Sequence, residues 1–279
     1  MLDLTARMHA RRDAFLDAVA RRRTIMGILN VTPDSFSDGG KFDRPEAALE
    51  QAKAMVAAGA DIIDVGAEST RPGHTPISAD EEIVRLERLL PPLLAEVDAP
   101  FSIDTYKAAT ARYATGLGVC VINDVWGLQR DPDMATVVAA AGAGVVVMHN
   151  RDTKDESVDI VSDMKRFFAR SLALARSAGI PDSHVMLDPG IGFGKTKQQN
   201  LAALRATDDL VATYGLPVLI GVSRKSLFGL LLGADVDARL IGTLAANLAC
   251  ATRGARIFRV HDVADHKAAF TVLDAIDNG

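Results

Sequence analysis

A closed barrel of eight parallel strands, each followed by a helix, with one extra helix at the N-terminus, is the fold class this chain predicts. Three observations carry it. Eight short apolar runs recur along the 279 residues, each apolar enough to be buried on both faces. Stretches of helical periodicity separate them, and that alternation pairs strands in parallel with helices outside. Eight such units in about 250 residues is the size of a (β/α)8, or TIM, barrel. An open doubly wound sheet is the competing arrangement of the same elements. No linker, low-complexity tract or shift of composition divides the chain. Residues 1–23 therefore read as a helical extension and residues 24–279 as one barrel.

The elements follow in order. Leu2–Arg23 sets apolar residues against arginines at helical spacing. Its Asp3, Asp13 and Asp17 count against an organelle-targeting peptide and for an amphipathic helix packed on the body. Thr24–Asn30 is the first strand. After a polar loop, Pro45 opens a helix that runs to Ala58 and closes at Gly59. Asp61–Val65 is the second strand, followed by a loop through Ser78 and a helix over Asp80–Glu96. Phe101–Ile103 ends at Asp104 and leads into a helix from about Tyr106. Val119–Ile122 ends at Asn123, before a helix over Asp133–Ala141. Gly144–Met148 ends at His149, before a long helix over Ile160–Ala178. His184–Leu187 ends at Asp188, before a helix around Leu201–Thr213. Pro217–Val222 runs into Ser223-Arg224-Lys225, with helical segments at Leu227–Leu232 and Ala238–Arg253. Arg256–Val260 ends at His261, and Ala264–Ile276 is the last helix.

Composition narrows the function. Hydrophobic residues make up 48%, enough for a large core, and the net charge of −5 argues against nucleic acid as a bulk partner. A small anionic substrate stays compatible, because a few local cations can dominate a cleft. Cys120 and Cys250 sit in apolar runs without CxxC or zinc spacing, which points to buried thiols in a reducing, cytoplasmic setting. No apolar run reaches the roughly 18–20 residues of a membrane span, so no membrane partner is expected.

The most informative stretch is Val185-Met-Leu-Asp-Pro-Gly-Ile-Gly-Phe-Gly-Lys195. Its glycines let a flat ligand approach the backbone behind Asp188. It is not a Walker A loop, since Pro189 stands where that motif needs glycine. Nor is it a dinucleotide fingerprint, since Lys195 replaces the third glycine. Nearly every strand ends likewise in a chemically useful residue: Asn30, Asp64, Asp104, Asn123, His149, Asp188, Ser223 to Lys225, and Arg259 with His261. In a barrel these ends meet on one face. Asp104, Asn123, Asp188 and Lys225 combine acceptors and donors suited to the edge of a 2-amino-pyrimidinone ring. Each charged member could equally be half of a structural ion pair, Asp188 with Lys225 for example. Asn30, Arg71, Arg259 and His261 suit an anion, with Asn30 offering an oxygen to magnesium. One half for a heterocycle and one for an anion suggests a phosphorylated heterocyclic substrate. His9 and His74 read as surface residues, and Trp126 as packing at the barrel rim.

Met26-Gly-Ile-Leu-Asn-Val-Thr-Pro-Asp-Ser-Phe-Ser-Asp-Gly-Gly40 resembles the first signature of the dihydropteroate synthase family. Glu68-Ser-Thr-Arg-Pro-Gly73 resembles its second loop. Ser102–Thr105, Ile122–Val125, Leu187–Lys195, Ser223–Ser226 and Arg259–Val263 match further blocks in the same order, so the resemblance spans about Thr24 to Val263. It implies a pterin-binding (β/α)8 enzyme of folate biosynthesis. Such an enzyme joins (7,8-dihydropterin-6-yl)methyl diphosphate to 4-aminobenzoate and releases pyrophosphate, by a dissociative substitution in which the leaving group departs first. By the same resemblance, Asp104, Asn123, Met148, Asp188 and Lys225 hold the pterin. Asn30, Thr70, Arg71, Arg259 and His261 receive the diphosphate, with Mg2+ on Asn30. Phe36, Ser69, Thr70, Pro72, Phe193, Lys225 and Ser226 surround the aminobenzoate. Asp104, Asp34, Arg71 and Lys225 carry the chemistry, and the loops Pro33–Gly39 and Ser69–Pro72 close over it. Sulfonamide sensitivity and a homodimer are further implications.

Two departures stand out. Asn150-Arg151-Asp152-Thr153 follows His149 where many members have Met-Gln-Gly, so no contacts are carried over to that loop. Leu227-Phe228 also differs from the pattern but stays apolar. Two alternatives accompany the resemblance. A methyltetrahydrofolate-dependent corrinoid methyltransferase would keep Asp104, Asn123 and Asp188 but has no need of the Asp34 loop or of Arg259 and His261. A non-catalytic paralogue would bind pterin without turnover.

Overall fold

The computed structural model describes residues 4–31, 45–68 and 75–278. Its elements in chain order are α1 (Leu4–Arg21), β1 (Thr24–Asn30), α2 (Pro45–Ala57), β2 (Ile62–Gly66), α3 (Ala79–Glu87), α4 (Leu90–Glu96), β3 (Phe101–Asp104) and α5 (Ala108–Leu117). They continue with β4 (Val121–Asp124), α6 (Met134–Ala141), β5 (Gly144–Met148), α7 (Ile160–Ala178), β6 (Val185–Asp188), α8 (Lys197–Arg205), α9 (Thr207–Tyr214) and β7 (Leu219–Ile220). The last are α10 (Ser226–Leu232), α11 (Leu240–Ala251), β8 (Ile257–Val260) and α12 (Val263–Asn278).

The eight strands form one parallel sheet in the order β6-β5-β4-β3-β2-β1-β8-β7. A parallel bridge from Leu187 to Val218, with Leu187 N donating to Pro217 O at 2.9 Å, joins the two ends of the sheet. This seam is thin because Pro217 has no N–H and β7 is two residues long. Closure by that bridge excludes the open doubly wound alternative. Parallel register aligns the strand exits: Asn30 stands opposite Gly66, Asp104 opposite Asn123, and Met148 opposite Asp188.

The N-terminal helix has a structural task. Met8, Phe15 and Val19 of α1 pack with Met26, Ile62, Cys120, Val146, Met186 and Ile257, the inward residues at the entry end of the strands. The helix therefore plugs the barrel floor, opposite the face that carries the strand exits. His9, expected on the surface, is half-buried there, and its Nε2 donates to Ala141 O at 3.0 Å. His74 lies outside the described residues.

Several boundaries differ from expectation for local reasons. The helix expected over Asp80–Glu96 is two, α3 and α4, because Pro91 and Pro92 occupy the first turn of α4 and cannot continue the α3 hydrogen bonds. The helix expected around Leu201–Thr213 starts earlier, at Lys197, where Thr196 and Gln199 form a reciprocal capping box, and it breaks at Ala206. The helix expected over Ala238–Arg253 begins as a 3-10 turn, Val236–Arg239, before α11. By contrast α7 matches its expected ends. The Asp159 side chain accepts from Ser162 N at its start, and Gly179 closes it at φ +88°.

Candidate active site

The hub of the strand-exit face is Asp64, fully buried on β2. A carboxylate inside the apolar run Ile62-Ile63-Asp64-Val65 must find donors, and three other strands supply them. Ser102 Oγ donates from β3, Asn123 Nδ2 from β4 at 3.1 Å, and Arg259 Nε from β8 at 2.6 Å. Arg259 then reaches across to Asp104, its Nη2 lying 2.8 Å from Asp104 Oδ2. One guanidinium thus serves two buried carboxylates. Burial works against its charge, but Asp64 and Asp104 outweigh that and raise its pKa.

Asp104 is buried too, and is the incompletely hydrogen-bonded carboxylate of this group. Burial is the largest influence and pushes its carboxyl up to about 7, with Arg259 pulling down and the like charge of Asp64 pushing further up. Its Oδ1 is buried with no hydrogen-bond partner among the described residues. A polar atom left so in a cleft wall is poised for a ligand.

Asp188 closes the opposite wall. Its Oδ1 accepts from Gly190 N at 2.7 Å, and burial raises its pKa against the pull of Lys225. Asp188 and Lys225 do not form a direct ion pair; the Lys225 ammonium donates to Ile191 O and lies 4.3 Å from the centre of the Phe193 ring. Burial lowers the Lys225 pKa to about 8, with Asp188 opposing. Lys225 is presented by a strained turn, since Arg224 holds φ +55° and is anchored to Asp262 at 3.1 Å. Ser223 anchors His261: its Oγ is 2.9 Å from ring Nδ1 and accepts the His261 N–H at 3.2 Å. Met148 lies buried at the end of β5, and exposed Ser226 opens α10. Asn30 ends β1, where a Cβ on Gly66 would come within 3.2 Å of its Oδ1, so glycine keeps that oxygen accessible. Asp34, Phe36, Ser69, Thr70, Arg71 and Pro72 lie outside the described residues.

The structure thus joins Asp104, Asn123 and Arg259 through Asp64, and joins Asp188, Lys225 and Phe193 through the glycine loop. His149 is not part of either group. It is fully buried, its Nε2 is 3.2 Å from Asp163 Oδ2, and burial pushes its pKa down to about 3. In the divergent loop after it, Asn150 Nδ2 donates to Val125 O at 2.9 Å. Trp126 takes the cation of Arg130 4.8 Å from its ring centre.

Sequence reasoning assigned no role to two groups. One is Lys107, whose ammonium binds Glu68 and, at 3.0 Å, Glu82; Glu68 also accepts from Ile77 N at 3.2 Å. The other is Lys195, buried among carbonyls. The available signal for both was a charged residue beside an otherwise apolar or glycine-rich run.

The fold and this wall of carboxylates, amide and cations define the class. The family model for pterin binding enzymes matches residues 26–261, and the chain belongs to that family. Dihydropteroate synthase of Clostridium beijerinckii is 45% identical over 262 residues, covering 92% of this chain and 96% of that protein. A Clostridium difficile dihydropteroate synthase structure, determined in the presence of pteroic acid, superimposes with TM-score 0.89 at 47% identity. It covers 93% of this chain and 98% of its own. The Xanthomonas albilineans dihydropteroate synthase structure with 4-aminobenzoic acid gives TM-score 0.89 at 40% identity, covering 93% and 94%. Within the family, the chain falls among the dihydropteroate synthases.

Proposed function

We propose that the chain condenses (7,8-dihydropterin-6-yl)methyl diphosphate with 4-aminobenzoate to 7,8-dihydropteroate and pyrophosphate. The observation that carries this reading is the buried, unpartnered Oδ1 of Asp104 beside Asn123 and Arg259. A fixed carboxylate there stabilises positive charge that develops on the pterin methylene as pyrophosphate departs. Asp188, Asn123 and Lys225 hold the pterin edge, with Met148 against its face. Arg259 and His261, with Arg71 and Thr70, receive the leaving group. The aromatic amine attacks a cation without needing a strong base, once the Asp34- and Arg71-bearing loops exclude water. Phe193, Lys225 and Ser226, with Phe36, Ser69 and Pro72, frame the aminobenzoate.

Asn30 is the proposed protein ligand for Mg2+. No group of three or more His, Cys, Asp or Glu side chains among the described residues could hold a metal. A single neutral oxygen at Asn30 suits an ion that keeps its waters and takes its remaining ligands from a diphosphate. Bound there, it would supply charge neutralisation to the leaving group.

A homodimer is part of the proposal. Leu230, Leu231, Leu232 and Ile241 are exposed on α10 and α11 beside an apolar hollow lined by Leu204, Phe228 and Ala246. A second copy of the chain would bury this patch. A cytoplasmic location fits the free, buried Cys120 and Cys250. Among the described residues no helix is long and apolar enough to cross a membrane.

The deciding experiment measures pyrophosphate release from the pterin diphosphate with and without 4-aminobenzoate. Release coupled to dihydropteroate formation supports the reading. Pterin binding with no release would leave a binding protein, and methyl transfer to a corrinoid would move the chain to the other class.

A further inference from the structure

Lys195 is buried, yet its ammonium touches no carboxylate among the described residues. Its three hydrogen bonds go to backbone carbonyls: Gly190 O at 2.8 Å, His149 O at 3.2 Å and Phe193 O at 3.2 Å. These oxygens come from two segments, the exit of β5 and the loop after β6. The segments approach so closely that a Cβ on Gly190 would lie 1.9 Å from His149 O, and one on Gly194 would lie 2.4 Å from Arg151 O. Gly190 and Gly194 hold φ +65° and +55°. Three carbonyl dipoles aimed at one point repel one another, and a positive charge among them turns that repulsion into attraction; burial works against that charge and lowers the Lys195 pKa to about 7, so the cage holds an ammonium at and below neutral pH. An ammonium has three donors and no acceptor, which matches the cage atom for atom.

The loop so held carries two groups that face the site. Ile191 O receives the Lys225 ammonium, and the Phe193 ring lies against that same ammonium. The other end of the loop is fixed by Asn200, whose Oδ1 accepts from Gly192 N at 2.7 Å. Only Lys195 ties it to β5 by side-chain charge among these contacts.

We infer that Lys195 is a positioning residue for the aminobenzoate half of the reaction, a built-in monovalent cation that sets the Gly190–Phe193 loop and through it the Phe193 ring and the Lys225 ammonium. This rests on the assignment of Phe193 and Lys225 to the aminobenzoate pocket. With the lysine shortened, the three carbonyl oxygens would be left as acceptors for a small cation.

Steady-state kinetics of Lys195→Met, Lys195→Gln and Lys195→Ala test it, with thermal melts to normalise for folded protein. The expected result for Lys195→Met is a KM for 4-aminobenzoate raised at least about tenfold, an effect several-fold larger than that on the pterin diphosphate KM. Lys195→Gln, which keeps part of the hydrogen bonding without the charge, should show the same direction and serves where the Met variant folds poorly. In Lys195→Ala, added methylammonium should restore the KM, whereas tetramethylammonium at equal ionic strength should not. A purely structural role would lower the active fraction and leave both KM values in place; that result overturns the inference, as would equal rescue by both cations. Phe193→Ala separates the two levels. An unchanged aminobenzoate KM in Phe193→Ala refutes the pocket assignment. A raised one there, with normal values in the Met and Gln variants, refutes the role of Lys195 alone.

Discussion

Asp104→Asn should make the protein more stable at alkaline pH while nearly abolishing turnover. In the folded protein burial lifts the Asp104 carboxyl from an ordinary 3.8 to about 7. A group whose folded pKa is raised binds its proton more tightly when folded. Its stabilising contribution is therefore intact below about pH 4 and is lost as pH rises through about 7. A shift of about three units, at about 1.36 kcal/mol each, amounts to roughly 4 kcal/mol of destabilisation fully expressed near pH 8. Near pH 5 the same linkage leaves only about 1.7 kcal/mol. Asparagine mimics the neutral acid and leaves Arg259 paired with Asp64 alone, at 2.6 Å. The stability advantage of the variant over the parent should shrink by about 2–3 kcal/mol between pH 8 and pH 5. For a chain of this size that corresponds to a relative melting shift of about 5 °C. Melts of both proteins across that range, beside pyrophosphate-release assays, measure it. A constant difference between the two proteins at both pH values would mean Asp104 is not held with a raised pKa. A variant that keeps its turnover would remove Asp104 from the chemistry.

Three further outcomes are expected. With Lys225 acting as an ammonium, as proposed, and burial lowering its pKa to about 8, turnover should fall as pH rises through that value. Lys225→Met should lose the alkaline limb of the profile along with most activity, and a limb that persists in the variant belongs to another group. Arg259→Ala strips Asp64 and Asp104 of their shared counter-ion, so urea melts should show a loss of about 3–5 kcal/mol, and pterin affinity should fall together with anion affinity. Retained pterin affinity would restore a picture of two independent half-sites. Sulfonamides should compete with 4-aminobenzoate, and calorimetry should show tighter binding with Mg2+, pyrophosphate and pterin present than without them. Equal affinity in both conditions would mean the pocket is preformed.

The strand exits were legible in the sequence because barrel strands are short and mostly apolar, so a charged or amide side chain after such a run marks the point where the chain leaves the core. Asp104, Asn123 and Asp188 follow that rule, and parallel register then sets Asp104 beside Asn123 and Asp188 beside Met148. What the pattern could not show is how far a long side chain reaches. Arg259 reads from composition as an anion-binding group, separate from the carboxylates of the heterocycle half. In the structure it stands opposite Met26 in the sheet, deeper than Asn30, and extends inward to Asp64 and Asp104. Sorting residues by chemical type therefore divided a group that sheet register and side-chain length had joined. Asp64 was visible as a strand-end carboxylate, but its role emerges only with Ser102, Asn123 and Arg259 arriving from three other strands. Lys195 illustrates the converse. Its sequence neighbours suggested a ligand loop, and the lysine would pass for a ligand-binding cation; close backbone packing turns it inward instead. The cation that would touch substrate is Lys225, thirty positions on in the chain and held by the same loop. The charge proposed to meet substrate and the structural charge thus meet on one loop from two different segments, and a substitution in either should be read through its effect on the other.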